Sequence, residues 1–392
     1  MKSKQSSSNE YIPPKVFTQI LVNLPVKSLL RFRCVCKSWR TILDNPDFVD
    51  MHIQFYNHQN KINSDKILSL EGLGLYGRGG CLLTLRKADT LCKTSQIFEC
   101  PDSYYLHGSC NSLLLISRPQ NFLYEGMRLY NPSIRKSLLL PRCPLLPRYE
   151  CHTTYVLGFV PRTKDFKVIA ISLKRPGVVI SEMRLAVYTL SDQRWVVRDN
   201  GFNFDCLSNT HSFGPCYFSE GATHWLGKDP CENNSNRDWK PTHLVSLDFD
   251  TESFTFLKLP HASPEAQRRL FLLGESLTFF CISPVSLKIW VLKYESGMRE
   301  WTLWFSGPSS SDGFNMFFHW GCRTRLLYYK GDGEHGGTLV YENKSYNIAT
   351  CEVQSIAKPS FYVELETYSE SLILCKGYKV EDMPSSPFCL DK

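Results

Sequence analysis

A strand–turn–strand pattern that recurs five times limits the folds open to this chain more than any other feature. The clearest copies, Ala186–Val197 and Val245–Phe256, align without a gap: Tyr188 matches Leu247, and an aromatic residue opens each return strand. Looser copies place the five starting points near residues 130, 188, 247, 291 and 341. Spacings of roughly 40 to 60 residues are typical of the blades of a β-propeller.

A propeller also solves a burial problem that one small sheet cannot solve alone. A four-stranded sheet has two faces, and stacking several sheets around an axis buries both. The early segment Lys66–Phe98 and the late segment Phe361–Leu374 are predicted to form one further blade together, with strands from both ends of the chain. We therefore expect about six blades. Five or seven blades, or a stacked β-sandwich, are the alternatives.

Glycine-containing dipeptides indicate where several hairpins turn, because tight turns need positive φ angles. The predicted turns are Gly108-Ser109, Glu220-Gly221 and Gly274-Glu275. The copy near 341 is predicted to keep the spacing of the others, with its return strand beginning at Ile348.

The N-terminal part of the chain has a helical pattern instead. After Pro13-Pro14, apolar residues recur at steps of three and four from Val16 to Leu24, which indicates an amphipathic helix. Two more short helices are predicted, the last one ending at Asp44-Asn45-Pro46. Units of fewer than about 40–50 residues rarely fold alone. The three predicted helices have more apolar surface than such a small unit can bury, which predicts that they dock on a partner or on a neighbouring domain.

The segment Leu24–Arg40, with Leu-Pro, Leu-Leu, Cys-Val and Trp in register, resembles the plant type of F-box. Ile12-Pro13 stands where that family usually begins with Leu-Pro. The resemblance implies docking on a Skp-type adaptor, and through it on a cullin and a RING subunit. Carried over by position, the adaptor contacts would be Pro13, Ile20, Leu24, Pro25, Leu29, Leu30, Val35 and Trp39. Some of these residues must also hold the helices together, and the sequence does not divide the two roles.

The β-rich remainder resembles the F-box-associated domain of plants, which is related to kelch propellers, over roughly residues 100–375. The resemblance implies a surface that captures a target protein for ubiquitination. The expected fold is α+β and mainly β: a three-helix F-box at 10–55, a linker at 56–66, and a kelch-like β-propeller at 67–380. Two other functions remain open, an adaptor-binding scaffold and a small-ligand receptor, both acting outside ubiquitination.

Five cations and no acid lie between Lys27 and Arg40. This run is either a solvated helix face or a surface that steers an acidic protein partner. Nucleic acid is the weaker interpretation, because the run lies inside the docking element and lacks interspersed aromatic residues.

Other functional classes have little support in the sequence. The sixteen cysteines are scattered through apolar stretches, and the tight pair Cys34/Cys36, expected on different sides of a helix, lacks zinc-ligand spacing. His224, His319 and Cys151-His152 are the residues that most suggest catalysis, yet no motif of a known hydrolase or phosphate-binding loop accompanies them. We therefore expect a non-catalytic chain without metal or cofactor. No apolar run suggests a membrane span or a secretory signal, so we expect a cytoplasmic or nuclear location.

Overall fold

A computed structural model gives the fold of the 392-residue chain. The structure describes residues 13–62, 66–72, 80–87, 92–100, 104–120, 123–145, 151–174, 182–198, 216–227, 240–263, 265–273, 276–283, 285–295, 297–309, 318–322, 325–335, 338–347, 350–355, 362–374 and 378–382.

The described part of the chain begins with four helices. They are α1 (Pro14–Val22), α2 (Val26–Phe32), α3 (Lys37–Leu43) and α4 (Pro46–Ile62). The prediction of three helices is wrong, because Pro46 ends α3 and also opens α4, where its missing N–H is not needed. Residues 56–62, predicted as part of a linker, form the last turns of α4. None of the helices in these ranges is long and apolar enough to cross a membrane.

The rest of the described chain forms six antiparallel sheets, which we number in chain order. The first contains β1 (Lys66–Gly72), β2 (Cys81–Lys87), β3 (Lys93–Cys100) and, from the C-terminal part, β24 (Tyr362–Thr367). The second contains β4 (Tyr105–Cys110), β5 (Leu113–Gln120), β6 (Leu123–Asn131), β7 (Lys136–Leu139) and the short β25 (Glu381–Asp382). The third contains β8 (Cys151–Val160), β9 (Asp165–Lys174), β10 (Glu182–Thr189) and β11 (Arg194–Arg198).

The last three sheets each use four consecutive strands. The fourth contains β12 (Tyr217–Ser219), β13 (Ala222–Gly227), β14 (His243–Asp248) and β15 (Phe254–Lys258). The fifth contains β16 (Gln267–Leu273), β17 (Ser276–Ile282), β18 (Ser286–Glu295) and β19 (Met298–Pro308). The sixth contains β20 (Phe318–Cys322), β21 (Arg325–His335), β22 (Thr338–Asn347) and β23 (Glu352–Ser355). Five sheets thus have the four strands of a regular propeller blade, and the second has five.

The strand–turn–strand pattern corresponds to the last two strands of successive sheets. Tyr188 lies opposite Trp195, and Leu247 lies opposite Phe254, as the gapless alignment predicts. The pairing predicted for the copy near 341, between Tyr341 and Ile348, is wrong by five residues. Tyr346 lies opposite Val353 instead, because β22 continues past Tyr341. Ile348 itself lies outside the described residues.

The predicted turns have different outcomes. Glu220-Gly221 joins β12 to β13 with φ angles of 50° and 77°, as expected. Gly108 instead lies inside β4 at a shift in register, with a φ of 151°, and the turn falls at Asn111-Ser112. Gly274-Glu275 lies outside the described residues.

The first sheet joins both ends of the fold, since β24 pairs with β1 over Ile67–Gly72. This confirms the prediction that strands from early and late segments share one sheet. Strands β4, β8, β12, β16, β20 and β24 lie innermost, and contacts join β4 to β8 and β24 as well as β16 to β12 and β20. The apolar core lies between neighbouring sheets, in clusters shared by Leu83 with Leu114, Leu115 with Leu157, Ile169 with Val245, Leu244 with Phe279, and Phe280 with Tyr346.

Candidate functional site

The N-terminal helices build a small core of their own. Leu21 of α1, Val26 and Leu29 of α2, and Leu43 of α3 are almost fully buried against one another. Two further buried residues complete this core, Phe48 from α4 and Leu372 from the segment that follows β24. The helical unit is therefore closed by residues from the rest of the chain.

An aromatic cluster links the three short helices near their surface. The Trp39 ring of α3 lies 5.2 Å from the Phe17 ring of α1 and 5.1 Å from the Phe32 ring of α2, between ring centroids. All three side chains are half-buried. Tilted and edge-on contacts at these distances add about 0.5–1.5 kcal/mol per pair to the burial of the rings. The cluster fixes the relative positions of α1, α2 and α3.

Beside this core, three apolar side chains stay open to solvent. Val16 is 45% exposed, Ile20 is 49% exposed and Val35 is 64% exposed. Val16 and Ile20 are one helical turn apart, so they form one strip along α1. No described part of the chain covers these side chains completely. We call Val16, Ile20, Val35 and the half-buried aromatic cluster the apolar face.

The structure divides the eight predicted contact residues into three groups. Leu29 is 0% exposed and belongs to the helical core, so it presents no surface in this structure. Leu24, Leu30 and Trp39 are half-buried. The exposed residues are Pro13, Ile20, Pro25 and Val35.

Val16, Phe17 and Phe32 belong to the apolar face but are not among the eight predicted contact residues. The signal for two of them was available, because Val16 and Phe17 belong to the apolar stripe of α1. The apolar stripe alone does not show which of its residues are buried in the core and which stay exposed.

The positive charge of the run from Lys27 to Arg40 is partly neutralised by Asp44, which follows it in the sequence. Arg33 donates two hydrogen bonds to the Asp44 carboxylate, at 2.6 and 3.1 Å, and Arg40 lies 3.7 Å from the same carboxylate. Bidentate pairing of this kind fixes geometry as well as charge. The side chains of Lys27, Arg31 and Lys37 are exposed. The helical unit therefore shows positive charge together with its apolar face.

The two neighbouring thiols lie in the turn between α2 and α3, and the expectation that they share a helix is wrong. Cys34 Sγ donates to the Leu30 carbonyl oxygen at 3.5 Å, and Cys36 Sγ accepts from the Trp39 N–H at 3.5 Å, which caps α3. Among the residues described, no group of three or more His, Cys, Asp or Glu could hold a metal ion.

Helix α4 connects the helical unit to the sheets. Ile53 joins the core between the second and third sheets, and Lys164 Nζ lies 2.9 Å from Asp50 Oδ2. His52 Nε2 lies 3.1 Å from the Leu24 carbonyl oxygen, and burial lowers the pKa of His52, which favours the neutral ring as donor. The Val26 N–H donates to Glu370 Oε2 at 2.8 Å, which ties α2 to the segment after β24. These contacts hold the helices against the rest of the chain and leave Val16, Ile20 and Val35 exposed.

One of the histidines that suggested catalysis, His224, is buried in the fourth sheet. His224 Nδ1 lies 2.8 Å from Ser246 Oγ, and its Nε2 lies 3.2 Å from the Ser219 carbonyl oxygen. Burial lowers the pKa of His224 to about 4, and Arg299 donates to the same Ser246 oxygen at 3.1 Å. His224 and Ser246 are both buried, so this pair has no access to a substrate. The side chains of His152 and His319 lie outside the described residues.

Comparison with known proteins gives two family matches. Residues 11–50 match the F-box domain, and residues 85–373 match the F-box associated beta propeller domain. An F-box/kelch-repeat protein of Arabidopsis thaliana is 24% identical over 321 residues, which cover 79% of this chain and 83% of the relative. Another F-box protein of Arabidopsis thaliana is 24% identical over 332 residues, which cover 80% of this chain and 77% of that one.

Among solved structures, an oligogalacturonate lyase from Vibrio parahaemolyticus aligns with a TM-score of 0.37 and 10% identity, over 76% of this chain and 80% of that chain. A TM-score this low supports no inference about function. The second family match spans more than half of the sequence and covers most of the strands, while the first covers the helices that carry the apolar face. The chain belongs to the F-box proteins with an F-box-associated β-propeller domain.

Proposed function

We propose that this chain is the substrate-recognition subunit of a Skp–cullin–F-box ubiquitin ligase. In this proposal the apolar face docks on a Skp-type adaptor, and each of the six sheets is one blade of a propeller that captures a target protein. The chain itself supplies no chemistry. It keeps a lysine of the target at high effective concentration near the ubiquitin-charged enzyme that the RING subunit carries.

The observation that carries this proposal is the uncovered apolar face. A partner that covers Val16, Ile20 and Val35 would gain binding free energy, since burial of apolar area contributes roughly 25 cal/mol per Å². The exposed cations Lys27, Arg31 and Lys37 favour a partner with acidic groups around its own apolar groove. Proximity catalysis also needs a fixed geometry, which the contacts of α4 with the third sheet support.

The test uses exposed residues, because substitutions there leave the helical core intact. We expect Ile20→Asp combined with Val35→Asp to weaken binding of the full chain to a purified Skp-type adaptor at least about tenfold, since each places a charge in an apolar contact. Met298→Asp is the matched control: Met298 is 72% exposed but lies on the fifth sheet. Binding would be measured by biolayer interferometry, and equal thermal stability would show that both variants fold.

Two results would overturn the proposal. Adaptor binding that survives the double substitution would mean that the apolar face is not the docking site. Adaptor binding without co-elution of the cullin and RING subunits would favour a scaffold that acts outside ubiquitination.

A further inference from the structure

The innermost strand of the fifth sheet has two faces with different surroundings. Along β16 the side chains alternate, so Gln267, Arg269 and Phe271 share one face while Arg268 and Leu270 share the other. The Arg268 guanidinium donates to the carbonyl oxygens of Pro241 and Ala262, while its buried Nε has no hydrogen-bond partner among the described residues. Arg269, on the other face, reaches one acceptor in the same ranges.

Arg269 is a half-buried cation that has no anion beside it in the described part of the chain. The one hydrogen bond that it makes to a described residue runs from Nη1 to the Arg268 carbonyl oxygen at 3.1 Å, although a guanidinium has five N–H groups to donate. Its electrostatic neighbour is Tyr217 on the adjacent inner strand β12, and no carboxylate contacts it within the described ranges. Burial lowers the pKa of Arg269, and the neighbouring Tyr217 acts in the opposite direction.

A second unsatisfied group lies on the same face two residues earlier. The side-chain oxygen Oε1 of Gln267 is buried and has no hydrogen-bond partner in the part of the chain that the structure describes. Buried polar atoms are nearly always paired, and each unpaired one costs about 1–3 kcal/mol. Two residues along a strand span roughly 7 Å. An acceptor without a donor and a cation without an anion therefore lie within one ligand's reach.

The chemistry of the two groups indicates what would fill them. A guanidinium pairs best with a carboxylate, through two parallel hydrogen bonds. The Gln267 oxygen needs an N–H, which a peptide carries close to its carboxylate and which inorganic phosphate lacks. Water could bond to the Gln267 oxygen, but it would not neutralise Arg269.

We propose that Arg269 and Gln267 bind a carboxylate-bearing peptide segment of the captured protein at the inner end of the fifth sheet. This inference rests on the proposed function, in which the sheets hold the target. The carboxylate can come from the C-terminus of the target or from an aspartate or glutamate side chain.

Binding would be measured on the full chain with three pools of fluorescent heptapeptides. One pool, free of aspartate and glutamate, ends in a free carboxylate; the second is the same pool with a C-terminal amide; the third is amidated and carries one aspartate. We expect the wild-type chain to prefer an acidic pool over the neutral pool at least about tenfold. The preference should disappear in Arg269→Met and persist in Lys288→Met, which removes an exposed cation from the same sheet.

The pools also identify the source of the carboxylate. A preference for the first pool alone indicates a C-terminus, and a preference for the third pool alone indicates a side chain. Equal binding of all three pools, or competition by inorganic phosphate with no preference among the peptides, would overturn the proposal.

Thermal stability without ligand gives an independent test. If Arg269 has no partner within the chain, Arg269→Met should melt at the same temperature as the wild type or higher, because a ligand site is kept at the expense of stability. A fall of several degrees would show that another part of the chain already satisfies Arg269, and would refute the inference.

This failure is distinguishable from failure of the proposed function. Loss of peptide preference with intact adaptor binding refutes only the Arg269 site. Loss of adaptor binding with intact peptide preference refutes only the ligase role.

Discussion

Asn131 offers the sharpest test of how the helices and sheets are held together. At the end of β6 its fully buried side chain donates to the carbonyl oxygens of Ser371, at 3.1 Å, and Ile373, at 2.8 Å. The same nitrogen donates to Ser371 Oγ at 3.0 Å. Between these residues lies Leu372, which completes the helical core. One amide thus holds the segment that closes the helical unit.

We expect Asn131→Ala to lower the free energy of unfolding by about 3 kcal/mol. The substitution leaves the two buried carbonyl oxygens without this donor, and each orphaned group costs about 1–3 kcal/mol. Differential scanning calorimetry should record a fall in melting temperature of about 3–5 °C. Urea unfolding followed by tryptophan fluorescence should give the same change in free energy.

The control is Asn23→Ala. Asn23 is exposed at the end of α1, where its side chain donates to the Gln19 carbonyl oxygen at 2.7 Å. Its removal should change stability by less than about 0.5 kcal/mol. The reasoning is refuted if the two alanine variants unfold with the same free energy, because burial of the acceptors is what separates them.

Two further predictions concern the sheets. Gly158→Ala should destabilise the fold by about 1–3 kcal/mol, since a Cβ there would lie 2.6 Å from the buried Phe249 ring. Adding Phe249→Leu should recover part of that loss in a double-mutant cycle, and additive losses would contradict the contact. Because the pKa of His224 is about 4 in the fold and about 6.5 when unfolded, the unfolded state takes up the proton first as pH falls. The stabilising contribution of His224 is therefore fully present above about pH 6.5, and about 3 kcal/mol of it is lost on acidification to pH 4. His224→Gln should reduce the slope of unfolding free energy against pH in that window, and identical slopes would contradict the assignment.

The sequence predicts register well where local spacing determines it. Tyr188 and Trp195 are seven residues apart, as are Leu247 and Phe254, and both pairs lie opposite each other across short turns. The same rule failed at Tyr341, because β22 is longer than β10 and β14 and the apolar pattern does not mark its end. Gly108 was mistaken for a turn residue because positive φ occurs in bulges as well as in turns.

Contacts between distant parts of the chain were harder to predict. Leu29 and Leu30 are neighbours on α2, yet one is fully buried and the other half-buried. Leu372, more than three hundred residues later in the sequence, belongs to the same buried cluster as Leu29. Helical periodicity predicts that both leucines lie near the core, but it does not predict that Leu372 packs against this helix.

This long-range closure bears on how the apolar face is presented. Strand β24 pairs with β1, and the chain then leads to Leu372, a buried residue of the helical core. The molecule itself therefore buries Leu21, Leu29 and Leu43 in a folded core. The exposure of Val16, Ile20 and Val35 is consequently not the result of a missing core. A short helical unit without this segment would lose Leu372 and the bond from Val26 to Glu370. The face offered to a partner therefore depends on the closure of the first sheet, and substitutions that open that sheet should weaken docking without altering any residue of the face.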